Sequence, residues 1–298
     1  MFKKILIIGC GLIGSSILRA IKQKRLSKKI FIFEKSKKNI SKIKKFKSNS
    51  KFIKSINKEI YDVDLVIIST PISEYKKIIQ KLNNTLKPNA LVTDVGSTKQ
   101  NLIKLKNKNL SKKIHWILSH PIAGSEVSGP EYGNKNLFLN KWCVIIKEKK
   151  QNLKKLNLIK KFWKKLGSKV VLMNANDHDN IFSITSHLPH LIAYNLIKTA
   201  QDSEKIQRKN LIQYSAGGLR DFSRIAASNE VMWRDIFFSN DNIIKSINLF
   251  TKNLNTFKKI IQKKNNKKLL SRLSNSKKAR KKIVQLKQDI AKPDFGRE

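Results

Sequence analysis

Cysteine is nearly absent: Cys10 and Cys143 are the only two in 298 residues, which rules out a disulfide framework. Acidic residues are scarce as well, 20 Asp and Glu against 64 Lys and Arg, for a formal net charge of +44. Arginine is scarcer still, since 9 Arg leave 64 − 9 = 55 Lys. Nucleic-acid readers gather arginine forks and aromatics on one face. Here the lysines are spread along the whole chain among Asn and Ile. The excess reads as drift of an adenine- and thymine-rich coding sequence, with solvated lysines and no nucleic-acid partner, although it should draw anionic ligands. Long apolar runs are missing too, and nothing approaches the roughly 20 residues of a membrane helix. Met1-Phe2-Lys3-Lys4 leads straight into Ile5-Leu6-Ile7-Ile8, without the longer apolar region and cleavage site of a signal peptide. These absences predict a cytoplasmic protein with no membrane partner. What remains, 40% hydrophobic residues over this length, is enough for one large or two ordinary domains.

The apolar run 5–8 is followed at once by Gly9-Cys10-Gly11-Leu12-Ile13-Gly14, then by helical spacing through Ile17, Leu18 and Ile21. In such a strand–loop–helix the first Gly permits the turn and the second lets a pyrophosphate approach. The third lets helix and strand pack, with the phosphates at the helix N-terminus. A second apolar run, Ile30-Phe31-Ile32-Phe33, ends in Glu34, 20 residues past Gly14, where a carboxylate accepts both ribose hydroxyls of NAD. Gly9, Gly11, Leu12, Ile13, Gly14 and Glu34 are therefore the expected cofactor residues. Glu34 repels a 2′-phosphate, but Lys35, Lys37 and Lys38 beside it leave NADP open. A glycine-rich turn without a cofactor is the bland alternative.

Strands and helices then alternate. Asp64 to Ile68 reads as a buried strand whose Ser69-Thr70-Pro71 end should pass the nicotinamide ribose. Helices are expected over Ile72 to Leu86 and Gln100 to Leu110, a strand over Ala90 to Asp94, and another over Ile114 to Leu118 leading to His120. Trp142 to Ile146, Leu153 to Leu166 and Gly167 to Met173 read as strand, helix and strand. This pattern predicts an α/β fold, a Rossmann-type doubly wound parallel sheet over residues 1–173. Strand-like runs then vanish. Helical spacing over Asp177 to Lys198, Ile206 to Tyr214, Asn229 to Phe238 and Asn240 to Lys264, broken by an Ala-Gly-Gly loop at 216–218, predicts an all-α domain over 174–264. Residues 265–298 form a lysine-rich tail, helical or frayed, with disorder expected from Lys292 to Glu298.

Several polar groups ask for a reason. Ser97 and His120 fall at strand ends on the sheet edge where such folds bind ligands. Ser186-His187-Leu188-Pro189-His190 interrupts an apolar helical segment, and Arg224 lies nine residues before Trp233. His187 and His190, three apart, could share a helix face and hold a metal, yet only Asp177 or His178 offers a third ligand, and no metal is expected. Ordinary readings stand beside each: a loop histidine for His120, core histidines at 187 and 190, and core packing for Trp233.

At this point the chain resembles the prephenate/arogenate dehydrogenases of tyrosine biosynthesis, from Ile5 to about Ile261. The resemblance rests on Gly9 to Gly14, Asp94-Val95-Gly96-Ser97-Thr98-Lys99, His120-Pro121-Ile122-Ala123-Gly124-Ser125-Glu126, Ser128-Gly129, His187-Leu188-Pro189-His190, Asp221-Phe222-Ser223-Arg224-Ile225-Ala226 and Met232-Trp233-Arg234-Asp235. It implies an oxidative decarboxylation in which a base takes the proton of a ring hydroxyl, hydride passes to NAD and CO₂ leaves as the ring becomes aromatic. The implied base is His120, assisted by Ser97. The resemblance assigns the substrate carboxylate to Arg224 with His190, places Ser186 near the nicotinamide and Glu126 at the mouth of the site, and lets Trp233 line the pocket. It also implies an intertwined homodimer through the helical domain. Two departures are expected: no chorismate mutase segment and no C-terminal regulatory domain, so any tyrosine feedback would act at the site itself. The rivals are a β-hydroxyacid-type NAD dehydrogenase, which would use a lysine of the helical domain, and an inactive, basic, nucleic-acid-binding relative.

Overall fold

The computed structural model describes residues 1–46, 49–286 and 288. Its centre is a six-stranded parallel sheet built from β1 (Phe2–Ile8), β2 (Ser27–Phe33), β3 (Lys51–Phe52), β4 (Leu65–Ile68), β5 (Leu91–Asp94) and β6 (His115–Ile117), in the order β3-β2-β1-β4-β5-β6. The order reverses between β1 and β4, so a crevice opens beside the carboxyl end of β1. Strand residues alternate between two cores. Ile5, Ile7, Leu65 and Ile67 face one, with Ile17 and Ile21 of α1 (Leu12–Gln23). Leu6, Ile8, Val66 and Ile68 face the other, with Ile78, Ile79 and Leu82 of α3 (Tyr75–Asn83), which follows the short α2 (Lys37–Lys44). Burial on both faces explains why these strands read as unbroken apolar runs.

The parallel sheet does not run on to residue 173. It stops at β6, and after Leu118 the chain enters a second, three-stranded sheet of β7 (Ser119–Pro121), β8 (Trp142–Ile146) and β9 (Lys169–Met173). There β7 runs antiparallel to β8, and β8 parallel to β9. The break has a local cause. The Asp94 carboxylate, at the end of β5, takes the Ser119 N–H (3.3 Å), while Ser119 Oγ donates to the Asp94 carbonyl (2.6 Å). Side chains thus replace the ladder, and Leu118 instead accepts from Ile146 N. Behind the break α5 (Leu153–Leu166) packs Phe162 and Trp163 into the first core, with Trp163 Nε1 donating to Ser119 Oγ at 3.0 Å.

Beneath this corner Lys99, fully buried just before α4 (Gln100–Asn109), donates to Asp94 Oδ2 (2.6 Å) and to the Ser119 carbonyl (2.7 Å). Burial lowers the Lys99 pKa even though Asp94 pulls it upward.

The helical part comprises α6 (Ala175–Phe182), a π turn (Ser183–His187), α7 (Leu188–Gln207), α8 (Gly217–Ala226), α9 (Glu230–Ser239), α10 (Asn242–Gln262) and α11 (Asn266–Gln285). The distortion expected of Pro189 takes a definite form here, and two other expectations change. The helix through His187 widens by one π turn ahead of Pro189, whose ring and missing N–H an unbroken α-helix would not accept. Ile206 to Tyr214 is no helix: α7 ends with Arg208 left-handed (φ 51°), leaving a 3-10 turn at Ile212–Tyr214. Gly217 and Gly218 open α8 instead of interrupting the domain, at a first turn whose N–H groups lack helical partners in any case. The tail forms α11, capped by Asn265 Oδ1 accepting from Lys268 N (3.0 Å). The disorder expected from Lys292 to Glu298 lies outside the described residues.

Removing one partner of a buried ion pair strands the other charge. Asp94→Ala is therefore expected to cost about 3–5 kcal/mol of unfolding free energy. A urea titration followed by tryptophan fluorescence checks it, and a loss below about 1 kcal/mol would show that Lys99 is satisfied without Asp94.

Candidate active site

The dinucleotide loop has the anatomy its glycines require. Gly9 has φ +80°, and a side chain there would press on Thr70 and the Ser69 carbonyl. One at Gly14 would collide with the Gly9 carbonyl and Ser69 Oγ. A Cβ at Gly11 would meet nothing within 4 Å, and α1 starts there without a side-chain cap. The open Gly11 at a bare helix N-terminus fits a pyrophosphate. Ser69 Oγ braces the loop by donating to the Gly9 carbonyl (2.6 Å), while Thr70 and Pro71 continue along the crevice. Leu12 and Ile13 begin α1. Glu34 follows β2, its carboxylate accepting from Cys10 N (2.8 Å) and Ser36 N (2.9 Å). Lys35 pairs with Glu74, and beyond them lies a cavity of about 300 Å³ between Phe33, Ile56, Ile78 and Lys81. These features fit NAD: an open phosphate cradle, a ribose carboxylate and an adjoining cavity.

His120 occupies the middle residue of β7, not a free strand end, and its ring is half-buried. Nδ1 lies 2.9 Å from Nε2 of His178, whose own Nδ1 lies 2.7 Å from Asp179 Oδ1. Phe182 closes against both rings, with centroids 5.1 and 4.6 Å away. Among the described residues nothing bonds His120 Nε2. Burial first, then the nearby His178, Lys99 and His187, holds the His120 pKa well below the usual 6.5. Ser97 is half-buried in the turn after β5, without a side-chain hydrogen bond among the described residues.

The other expected residues form two groups. Arg224 on α8 reaches Glu126 Oε1 at 3.4 Å, and both are substantially exposed. His190 donates Nδ1–H to the Ser186 carbonyl (2.9 Å) and stacks on Trp233 at 3.8 Å. Trp233 is 5% exposed. His187 is buried against Asn240 Nδ2 (3.0 Å) and edge-on to Trp233, and burial lowers its pKa to about 4. Among the described residues no cluster of His, Cys, Asp and Glu could hold a metal ion.

From the sequence alone His178 stands only as a conceivable metal ligand, and Asp179 does not stand out. Their one sequence signal is a histidine flanked by Asp177 and Asp179 at the start of an otherwise apolar helical segment. Asp179 also accepts from the N–H groups of Lys99 (2.9 Å) and Gln100 (2.8 Å), fastening α6 to α4. Asp235 does the same elsewhere, accepting from Ser73 N (2.9 Å). The helical part is thus bolted to the sheet on both sides of the histidines.

A dinucleotide crevice in a Rossmann sheet, with an imidazole of the same domain held by a helical domain and left with one free nitrogen, defines a two-domain dinucleotide-dependent dehydrogenase. Comparison with known proteins narrows this. The nucleotide-binding domain of prephenate dehydrogenase matches residues 17–172 and its dimerization domain matches 174–275. The cyclohexadienyl dehydrogenase of Zymomonas mobilis is 32% identical over 281 residues, 94% of this chain and 96% of that one. The prephenate dehydrogenase of Lactococcus lactis is 34% identical, covering 85% of this chain and 69% of its own. A crystal structure of Aquifex aeolicus prephenate dehydrogenase with hydroxyphenyl propionate and NAD+ aligns at a TM-score of 0.87 and 34% identity, over 95% of this chain and 99% of that one. The chain belongs to the prephenate dehydrogenase family and is an oxidoreductase of that type.

Gly11→Ala separates cofactor from fold. With no protein atom in the way, stability should hold while NAD affinity falls about tenfold or more, roughly 1.4 kcal/mol, in a fluorescence titration. Unchanged affinity would move the pyrophosphate elsewhere.

Proposed function

We propose that this chain carries out the NAD-dependent oxidative decarboxylation of prephenate, arogenate or both in tyrosine biosynthesis, with His120 as general base. One observation carries the reading: His120 is tied at Nδ1 and free at Nε2, in a half-buried ring kept neutral at pH 7. A neutral imidazole within reach of a ring hydroxyl can take its proton.

Gly9, Gly11, Leu12, Ile13 and Gly14 would hold the pyrophosphate of NAD and Glu34 its adenosine ribose. Ser69, Thr70, Pro71 and Ser186 would flank the nicotinamide end. When bound, NAD supplies the hydride acceptor. Glu34 at the ribose disfavours a 2′-phosphate, and Lys35 is already engaged by Glu74. Ser97 joins the hydroxyl network beside His120. Arg224 offers a planar fork to a substrate carboxylate. Its long contact with Glu126, at 3.4 Å between exposed groups, is weak enough to yield to a substrate. His190, its Nδ1–H held by the Ser186 carbonyl and its ring stacked on Trp233, would border that end of the substrate.

A homodimer through the helical domain is part of this reading. Ile244, Leu249, Leu254 and Ile261 on α10 and Leu270 and Leu273 on α11 are all at least half-exposed, apolar side chains that a second copy of the chain would cover. No described helix is long and apolar enough to cross a membrane, and a cytoplasmic setting completes the proposal.

The test is NADH absorbance with prephenate, then with arogenate; activity with neither would overturn the reading. The depressed His120 pKa predicts that the acid limb of kcat/KM lies below pH 6.5, since the base loses its proton acceptor only as pH falls through its own lowered value. Arg224→Ala should raise KM about 10- to 100-fold, the worth of a charged hydrogen bond. An unaltered KM would remove Arg224 from the site.

A further inference from the structure

The base proposed above needs one property that an imidazole does not have by itself. Neutral His carries its proton on either ring nitrogen, and only the tautomer with a bare Nε2 can take a proton from substrate at that atom. The environment of Nδ1 must choose. We propose that His178 and Asp179 are positioning residues that fix His120 in the productive tautomer through a directed chain of hydrogen bonds.

The direction follows from the end of the chain. The Asp179 carboxylate can only accept, so the 2.7 Å contact requires a proton on His178 Nδ1. A neutral His178 then has a bare Nε2, which must accept across the 2.9 Å contact. The His120 proton therefore sits on Nδ1, and Nε2 is left with its lone pair. His178 is fully buried, and burial lowers its pKa against the opposing pull of Asp179, which keeps it neutral.

Asp179 cannot turn round to reverse the chain. Its two oxygens also accept from Lys99 N and Gln100 N, and the carbonyl of the same residue accepts from Asn240 Nδ2 at 2.9 Å. The charged and titratable groups around His120 come from four further elements. Lys99 and Asp94 lie beneath it and are paired with each other; Cys143 sits on β8, and His187 on the π turn. None of these is hydrogen-bonded to either His120 nitrogen. During turnover His120 gains one proton at Nε2 and keeps the one at Nδ1. The resulting imidazolium donates to His178, backed by the carboxylate.

This inference rests on His120 being the base, and the experiment keeps the two apart. In ¹⁵N-histidine-labelled wild type at pH 7, NMR should show His120 protonated at Nδ1 and bare at Nε2; a protonated Nε2 overturns the relay whatever the activity. Asp179→Asn puts an amide that can donate as well as accept where only acceptors stood, so the His178 tautomer is no longer dictated. It should lose about 10³- to 10⁴-fold in kcat, with KM and NAD affinity within about threefold of wild type. Should that variant fail to fold, His178 provides the second reading. His178→Gln keeps an acceptor for Nδ1–H and should retain activity within about tenfold, whereas His178→Leu should lose about 100-fold or more. Equal losses for Gln and Leu, or full activity in Asp179→Asn, overturn the proposal. A wild type that oxidises neither substrate, or a fully active His120→Asn, would instead bring down the base assignment and leave the tautomer measurement standing.

Discussion

The site depends on one buried ion pair. Lys99 and Asp94 are both wholly enclosed, and two charges in that position are tolerable only if every remaining donor and acceptor is used. They are nearly all used here. Asp94 Oδ1 takes the Trp116 indole N–H (3.1 Å) and the Ser119 N–H, and Oδ2 takes the Gly96 N–H (2.9 Å) and the ammonium. The Lys99 ammonium also holds the Ser119 carbonyl. Apart from the Trp116 bond, which reaches β6, every one of these bonds ends on the turn carrying Ser97 or on the strand carrying His120. A structure that breaks its main sheet at residue 118 needs such a lock, because backbone ladders no longer fix where β7 starts.

The lock also explains how two domains share one catalytic centre. Lys99 uses its side chain to place His120 and its backbone N–H to hold Asp179. One residue thus sets both ends of the His120–His178–Asp179 chain, although the ends lie 59 positions apart in sequence. A shift of α6 against α4 would break the Asp179 contacts and the tautomer control together. The helical domain is therefore more than a carboxylate clamp: it orients the base as well.

Much of this was legible in the residues, and the rest was hidden for definite reasons. The run Ile5 to Ile8 and the glycines after it announce a buried parallel strand and a phosphate turn, because both faces of that strand are apolar and each glycine answers to its own steric demand. His120 stands out through Pro121 and the small residues that follow. The end of the sheet at Leu118 was not visible, since Ile117 and Ser119 suit either sheet and the deciding partner, Asp94, is 25 residues away. Gly217 and Gly218 read as a breaker because glycine disfavours helix interiors, yet at a first turn that penalty is small. In the sequence His178 stands only as a conceivable third metal ligand beside His187 and His190. Its meaning comes from a 2.9 Å contact across the fold.

The scarcity of acid sharpens the picture. Most of the 20 acidic residues that pair with lysine do so at the surface, as in Lys4–Asp62, Lys42–Glu131, Lys51–Glu59 and Lys198–Asp202, where such pairs contribute little. Among the described residues only Asp94, Asp179 and Asp235 are buried acids. One locks the strand of the base, one orients the base, and one fastens the helical domain to the turn after β4. A formal charge of +44 is screened over about 8–10 Å at ordinary ionic strength, so the lysines can speed an anion's approach without positioning it. Positioning falls to the few charges that water does not reach, and in this chain two of those carboxylates fasten the helical domain to the first while the third locks the strand of the base.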